Sequence, residues 1–226
     1  MSRVVLDAPW LSFDLGCEME VLSWAINRPG QVRACQILWR ELRNADLPPD
    51  LDVVGWAEAT LRARGSEKEV LFLTSRDVTT YEERRVRVGA AQAHAVATVG
   101  LSNGERVGAR VDYSGRDWDG GWGTINVAVR LDSGLTGAAL LEAMSIAVQA
   151  RTAAVIDAGI SLPTGIATGT GTDCVAVAAP SGDIAFSGLH TESGEAIGRA
   201  VYDAVHAGAR AWSAERAQAL ARSAGR

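Results

Sequence analysis

Strand signals dominate this sequence and come in neighbouring groups, and that grouping limits the folds open to it. Short apolar or alternating runs at 4–6, 11–15, 19–26, 70–74, 93–101, 106–113, 124–131 and 175–179 read as strands. Turn residues separate them, among them Pro9, Gly16 and the turn at Asn27, Arg28, Pro29 and Gly30. Residues 124–131 carry the clearest period of two, with Ile125, Val127, Val129 and Leu131 on one face. Helical periodicity is rarer and is clearest over 136–158. There Leu140, Leu141, Met144, Val148, Val155 and Ile156 share a face, Thr136 supplies an N-cap and Gly159 a stop. A broad apolar stripe predicts a second helix over 31–44, and 53–64 reads as a third, stopped by Gly65. Asp77 opens a short helix reaching Glu83, and the last helix runs from Thr191 past Trp212, with 216–226 fraying. So few helices leave too few crossovers for a doubly wound parallel sheet. The expected class is α+β: a single domain spanning 1–226, with a mainly antiparallel or mixed sheet layered with a few long helices.

A chain of 226 residues supports one sizeable core, and no Pro/Ser-rich linker divides it. The Pro48 and Pro49 pair reads as a loop between helices. The net charge of −5 and scattered basic residues exclude nucleic acid as a main partner. The apolar runs are broken by glycine or charge, and no basic stretch precedes an apolar one at the start, so no membrane partner and a cytoplasmic location are expected. Cys17, Cys35 and Cys174 fit neither a disulfide framework nor zinc spacing, and are expected to be reduced and mostly buried.

Chemistry concentrates between residues 166 and 195. Thr168, Gly169, Thr170, Gly171, Thr172 and Asp173 form a turn with small side chains and many backbone donors, followed by an apolar strand. The threonine hydroxyls can donate to a substrate amide, Thr170 or Thr172 can attack one, and the alternating glycine N–H groups can form an oxyanion nest. His190 sits at the mouth of the last helix as a candidate general acid or base, and Asp173 as its orienting partner. Glu195, in the first helical turn, is a candidate substrate contact. The loop is no P-loop, since no Lys follows and the next element is a strand. Gly100, Leu101, Ser102, Asn103 and Gly104 spell a G-x-S-x-G elbow, and Ser102, Asp173 and His190 follow the chain order of α/β-hydrolases, but no helix pattern follows the elbow. Metal chemistry would draw on Asp173, His190 and Glu195, which lack ligand spacing, so neither a metal nor a cofactor is expected. Trp118 and Trp122, set among glycines, can lie against a flat ligand.

The runs ATGTGTDCVAVA (167–178) and GLHTESGEAIGRAVYDAV (188–205) resemble the adenosylcobinamide amidohydrolase family of cobalamin salvage. EVLSWAI (20–26), ATVGLSNGERVGA (97–109), GTINVAVRLDSGLTGAALLEAM (123–144) and ARTAAVIDAGI (150–160) extend the likeness in the same order, covering most of 20–212. The resemblance implies a corrinoid substrate, cleavage of the amide joining the aminopropanol arm to the corrin ring, and a catalytic His190. From the residues themselves, Asn103 and Asn126 are expected as amide or oxyanion contacts, Thr168, Thr170, Trp122 and Glu195 in substrate binding, and Thr172 or Ser102, beside water, as the nucleophile. Self-association is compatible with it. There are two departures from the family pattern: Ser23 and Trp24 stand where a Ser-rich pair is expected, and Arg151 where Lys is expected. A corrinoid carrier without turnover, or a family member acting on a different amide, are the alternative readings.

Overall fold

The computed structural model describes residues 1–43, 46, 50–112 and 123–224. Twelve strands occur among them: β1 (Arg3–Asp7), β2 (Trp10–Ser23), β3 (Gly30–Glu41), β4 (Val70–Thr74), β5 (Glu82–Val88), β6 (Ala91–Val99), β7 (Gly104–Glu105), β8 (Ile125–Leu131), β9 (Ser161–Leu162), β10 (Gly165–Ile166), β11 (Gly169–Thr170) and β12 (Cys174–Ala179). The helices are α1 (Val53–Arg64), α2 (Gly137–Asp157) and α3 (Glu192–Ala224). Eight strands form one sheet in the order β4-β3-β2-β12-β8-β6-β5, with β1 on β2. Only β8 with β12 and β3 with β4 run parallel; the other pairings in this sheet are antiparallel. The α+β class with a mixed, mainly antiparallel sheet is therefore what the chain adopts.

Gly16 lies inside β2, at φ +83°, where the pairing with β3 shifts register between Asp14 and Met19. It makes a bulge, so the two short strands expected around it are one bent strand. The first half of β2 carries β1 and the second half β12. The bend curls β3 and β4 over one face of the sheet, until the Asn126 amide of β8 donates to Leu73 O of β4 at 2.9 Å. Phe13, Ile37, Trp39, Phe72, Val96, Ala128 and Ala176 fill the space under the curl. On the opposite face, Ile125, Val127, Val129 and Leu131 pack against α2 and α3. Each such large aliphatic side chain removed from water stabilises the fold by roughly 1.5–3 kcal/mol.

Residues 31–44 are not helical. Ile37 and Trp39 of β3 face the inner core while Leu38 faces α1, packing with Leu61 and Leu71. A strand buried on both sides shows the same broad apolar stripe as a buried helix. Asp77 caps only the 3-10 turn Val78–Thr80, and the chain then enters β5, whose charged edge-strand sequence EERRVRV hides its strand character. Residues 106–112 form no strand beyond a bridge between Arg106 and Ala109. α3 continues to Ala224, well past the expected frayed point. The expected caps hold: Thr136 Oγ1 accepts from Ala139 N at 3.2 Å, and Gly65 ends α1 at φ +67°. α2 is long and apolar enough to cross a membrane by length and composition, and half of that window is buried in this fold. Cys17 and Cys35 are exposed, contrary to the expectation of mostly buried thiols, and Cys174 is partly buried. Pro48 and Pro49 lie outside the described residues.

The parallel pairing of β8 with β12, and the antiparallel pairing of β6 with β8, define two rims. One rim holds the start of β8, the start of β12 and the end of β6. The other holds the end of β8, the end of β12 and the β5–β6 turn at Gly89. α3 begins at this second rim, where Glu192 Oε2 accepts from Ala90 N at 2.9 Å. It then crosses the sheet to pass Val99 at Gly208 and to bind Arg76 through Glu215.

His94 of β6 is buried, with Nδ1 2.9 Å from Ser2 Oγ and Nε2 2.8 Å from Glu83 Oε1. Burial, then Arg85, push its pKa down to about 4, against the raising effect of Glu83. A histidine depressed in the folded state contributes stability that is full above its unfolded pKa of roughly 6.5 and is lost as pH falls towards 4. Urea unfolding at pH 5 should give a stability lower than at pH 7 by about 1–2 kcal/mol from this group. In His94→Gln that part of the pH dependence should disappear.

Candidate active site

Three loops meet at the first rim: 100–112 after β6, 123–124 before β8, and 167–173 before β12. β11 pairs with β7, so the Gly/Thr loop is tied to the loop that follows β6. Thr168 reinforces the link, its Oγ1 accepting from Val107 N at 2.8 Å while its backbone N donates to Glu105 O at 2.8 Å. The Thr172 hydroxyl donates to Gly123 O at 3.3 Å and accepts from Asn103 Nδ2 at 3.3 Å. That direction of donation fixes the Asn103 amide and turns its Oδ1 inward, where it is buried with no partner. Thr124 Oγ1 donates to Thr172 O at 2.9 Å.

Asp173 is the hub of this rim. Its Oδ1 accepts from Ile125 N at 3.2 Å and from the Thr170 hydroxyl, and its Oδ2 accepts from Thr170 N at 3.1 Å and pairs with Arg151 Nη1. Its side chain is 7% exposed and that of Arg151 12%. Two contacts on each oxygen use the acceptor capacity of a carboxylate. Asp173 therefore has no lone pair left to orient a histidine or ligate a metal. Its carbonyl accepts from Trp24 Nε1 at 2.7 Å, which gives a structural role to one of the residues departing from the family pattern.

His190 is at the other rim. It is an exposed residue in the turn before α3, and β12 alone separates the rims by roughly 17 Å at about 3.3 Å per residue. The expected meeting of His190 with the 168–173 loop does not occur within this chain. The Ser102, Asp173, His190 order fails for the same reason. Glu195 also stays at the far rim, beside Arg199 at 3.6 Å, and lines a groove between α2 and α3 with Leu189 and Tyr202. Asn126 is 1% exposed, under the β4 curl and bound to Leu73 O, so it is a core residue that a substrate amide does not reach. Ser102, Asn103, Thr168, Thr170 and Thr172 do gather at the first rim. Trp118 and Trp122 lie outside the described residues. Among the described residues, no three His, Cys, Asp or Glu side chains form a group able to hold a metal ion.

A family model for adenosylcobinamide amidohydrolase (CbiZ) matches residues 2–217. The chain belongs to this family. Comparison with curated proteins found no match. Among solved structures, the chain is similar to the crystal structure of the PH0078 protein from Pyrococcus horikoshii OT3, with 11% identity, a TM-score of 0.44, and coverage of 88% of this chain and 76% of that one.

In this amidohydrolase-family chain, two cavities are lined by residues of the first-rim loops. The larger, about 620 Å³, runs between Leu101, Ser102, Asp112, Leu162 and the second half of α3 at Trp212 and Arg216. The smaller, about 300 Å³, lies between the ribbon and α2 and is lined by Glu105, Val107, Val148, Arg151, Thr152 and Thr170. Glu105 and Arg151 were not among the residues singled out for chemistry, although Arg151 stood out as a departure from the family pattern. Glu105 Oε2 accepts from Val111 N at 3.0 Å. Burial pulls the Arg151 guanidinium below its ordinary pKa, and its Nε is buried with no partner. A buried donor left unmatched costs about 1–3 kcal/mol. Cys174 offers no thiolate here, because burial pushes its pKa up to about 12.

Gly169 makes the Asp173–Arg151 contact sterically feasible. A Cβ at this position would land on Arg151 Nη1, 3.3 Å from its Cζ, and beside Asp173 Oδ2, whereas a Cβ at Gly171 would meet nothing closer than 3.9 Å. Gly169→Ala should therefore lower stability by about 2–4 kcal/mol, through overpacking and the disrupted buried pair. Gly171→Ala should change it by less than about 1 kcal/mol. Chemical denaturation of the two variants checks the contrast.

Proposed function

We propose that the protein hydrolyses the amide joining the aminopropanol arm to the corrin ring of adenosylcobinamide, giving adenosylcobyric acid and aminopropanol. The match of the adenosylcobinamide amidohydrolase model over 2–217 carries this reading. The smaller cavity supports it chemically, because it presents a carboxylate, Glu105, and a guanidinium, Arg151, to one space. Its volume suits a single side arm and leaves the macrocycle outside.

In the proposed reaction, Glu105 takes a proton from water as the water oxygen bonds to the carbonyl carbon. The guanidinium stabilises the oxyanion of the tetrahedral intermediate. The carbon–nitrogen bond then breaks as Glu105 returns the proton to the departing nitrogen, leaving a carboxylic acid on the corrin arm and a free amine, and the acid's proton passes to the amine to give the carboxylate and the ammonium. Ser102, which lines the larger cavity, remains an alternative nucleophile, and the Thr170 and Thr172 hydroxyls donate to Asp173 Oδ1 and Gly123 O.

The distance of His190 from the rim loops favours a second reading, a corrinoid-binding module that keeps the fold without turnover. Incubation with adenosylcobinamide and mass detection of adenosylcobyric acid and aminopropanol separates the two. The hydrolase should release both products, with Glu105→Gln lowering kcat by about 10²-fold or more. His190→Ala should stay within about twofold of the parent. Binding of the corrinoid without aminopropanol release would establish the carrier instead.

A further inference from the structure

α2 turns an uncharged side to solvent. Leu141, Ser145, Gln149, Thr152 and Ile156 make this stripe, and at 3.6 residues per turn they fall within about 80° of one another around the axis. The charged residues of α2 are Glu142, Arg151 and Asp157, and each has a partner inside the chain: Ser187 N, Asp173 and the Tyr202 hydroxyl. A surface helix of a monomer carries charged residues on its outer side, whereas a helix apolar all round is covered.

The segment leading into α3 extends this face. It is held against the first turns of α2 by the bond from Ser187 N to Glu142 Oε2 at 2.7 Å, and it adds Ile184, Phe186 and Leu189. Together with Leu141 and Ile156, these side chains are 40–71% exposed. At roughly 150–200 Å² for a fully exposed large side chain, the five present about 400–600 Å² of apolar surface. A standard interface buries about 800 Å² per partner, of which a little over half is apolar. The five residues supply that apolar share.

The same face holds a recess for such side chains. A groove of about 490 Å³ runs between α2 and α3, lined by Ile146, Ala150, Ala153, Gly194 and Gly198, with Leu189 at its lip. Small residues make it: a Cβ at Gly198 would meet nothing closer than Ile146 Cγ2 at 3.7 Å. A surface that bears both protruding side chains and a hollow able to take them is self-complementary, the property a two-fold interface requires. Charge agrees. Glu195, Arg199 and Asp203 follow one turn apart along the α3 wall, so two antiparallel copies offset by one turn set each Arg199 against Asp203 of the other. An anionic lipid surface would instead meet Glu195 and Asp203, with Arg199 the one cation among the groove-lining residues.

We propose that the outer stripe of α2, the groove between α2 and α3, and the 184–189 segment form the docking surface for a second copy of this chain in an isologous dimer. Dimer formation does not depend on turnover.

Sedimentation velocity and light scattering of the full chain at tens of micromolar test the surface. The parent should have twice the mass of one chain. Leu141→Glu/Leu189→Glu should weaken self-association at least hundredfold and run as a monomer, because it places carboxylates in the centre of the contact. Gly198→Leu, which fills each groove with its own side chain, should weaken it at least tenfold. Leu220→Glu, at an exposed apolar position near the end of α3, should leave the dimer intact. Circular dichroism and denaturation curves report that each variant is folded. A monomeric parent would overturn the proposal, as would a dimer that survives in folded Leu141→Glu/Leu189→Glu. A monomeric parent that co-sediments with phosphatidylcholine/phosphatidylglycerol vesicles, and loses this in the same double variant, would assign the face to a membrane instead.

Discussion

The parallel pairing of β8 with β12 at the centre of the sheet governs where every polar loop of this protein ends up. Val127, Val129, Val175 and Val177 bury the pair against the helices, and Ala128, Ala176 and Ala178 bury it beneath the curl of β3 and β4. A pair buried on both faces cannot slip register without exposing its core side chains. Because the two strands point the same way, the segments entering them meet at one rim, so Gly123 and Thr124 come to lie against Thr172. The same direction carries the chain leaving β12 to the opposite rim. α3 must start there and run back across the sheet, which accounts for its 33 residues.

This topology explains what could and could not be read from sequence. Elements with a sharp period, a short bounded run or explicit end signals were legible: β8 because Asn126, Ala128 and Arg130 alternate with its large aliphatics, α1 and α2 from their caps, and β12 from its short apolar run. β3 was not, because α1 on one side and the inner core on the other erase the polar face that distinguishes a strand. The Gly/Thr loop was correctly seen as a convergence of polar groups, but its partners were not. Asp173 and His190 are 17 positions apart in the chain, and proximity in sequence suggested proximity in space. A strand between them reverses that expectation, since it carries its two ends to opposite rims. Arg151 lies 22 positions before Asp173 on a different element and is the residue that reaches it. The family pattern had marked position 151 without indicating its partner.

The rim loop also shows how a glycine-rich stretch can read as ligand-binding while much of its hydrogen-bonding capacity is directed inward. Thr168 ties the loop to Val107 and Glu105, Thr170 and Thr172 donate to Asp173 and Gly123, and Thr170 N adds a further bond to Asp173. Gly169 is there to admit the guanidinium, with no positive φ to account for it. A loop so strongly cross-linked is a rigid support, and a rigid support holds neighbouring groups in place when a reaction redistributes charge. On this view the threonines position Arg151 and Glu105, and the reacting bond need not touch a threonine oxygen.

Some of the buried polar atoms without partners lie at this rim, while others, such as Trp39 Nε1 and Arg76 Nε, lie elsewhere. Folded proteins leave few such atoms, because each forfeits its solvation without compensation. Among the described residues, Asn103 Oδ1 and Arg151 Nε belong to the first rim, and Thr98 Oγ1 lies on β6 opposite Asn126, at the base of the same rim. Asn103 and Arg151 are each held by a partner that fixes the orientation of the free atom: Thr172 for the asparagine amide and Asp173 for the guanidinium. An orphan on a mobile side chain can rotate towards water, whereas an orphan on a clamped one keeps its unmet hydrogen bond until something enters. One of these two is an acceptor and the other a donor.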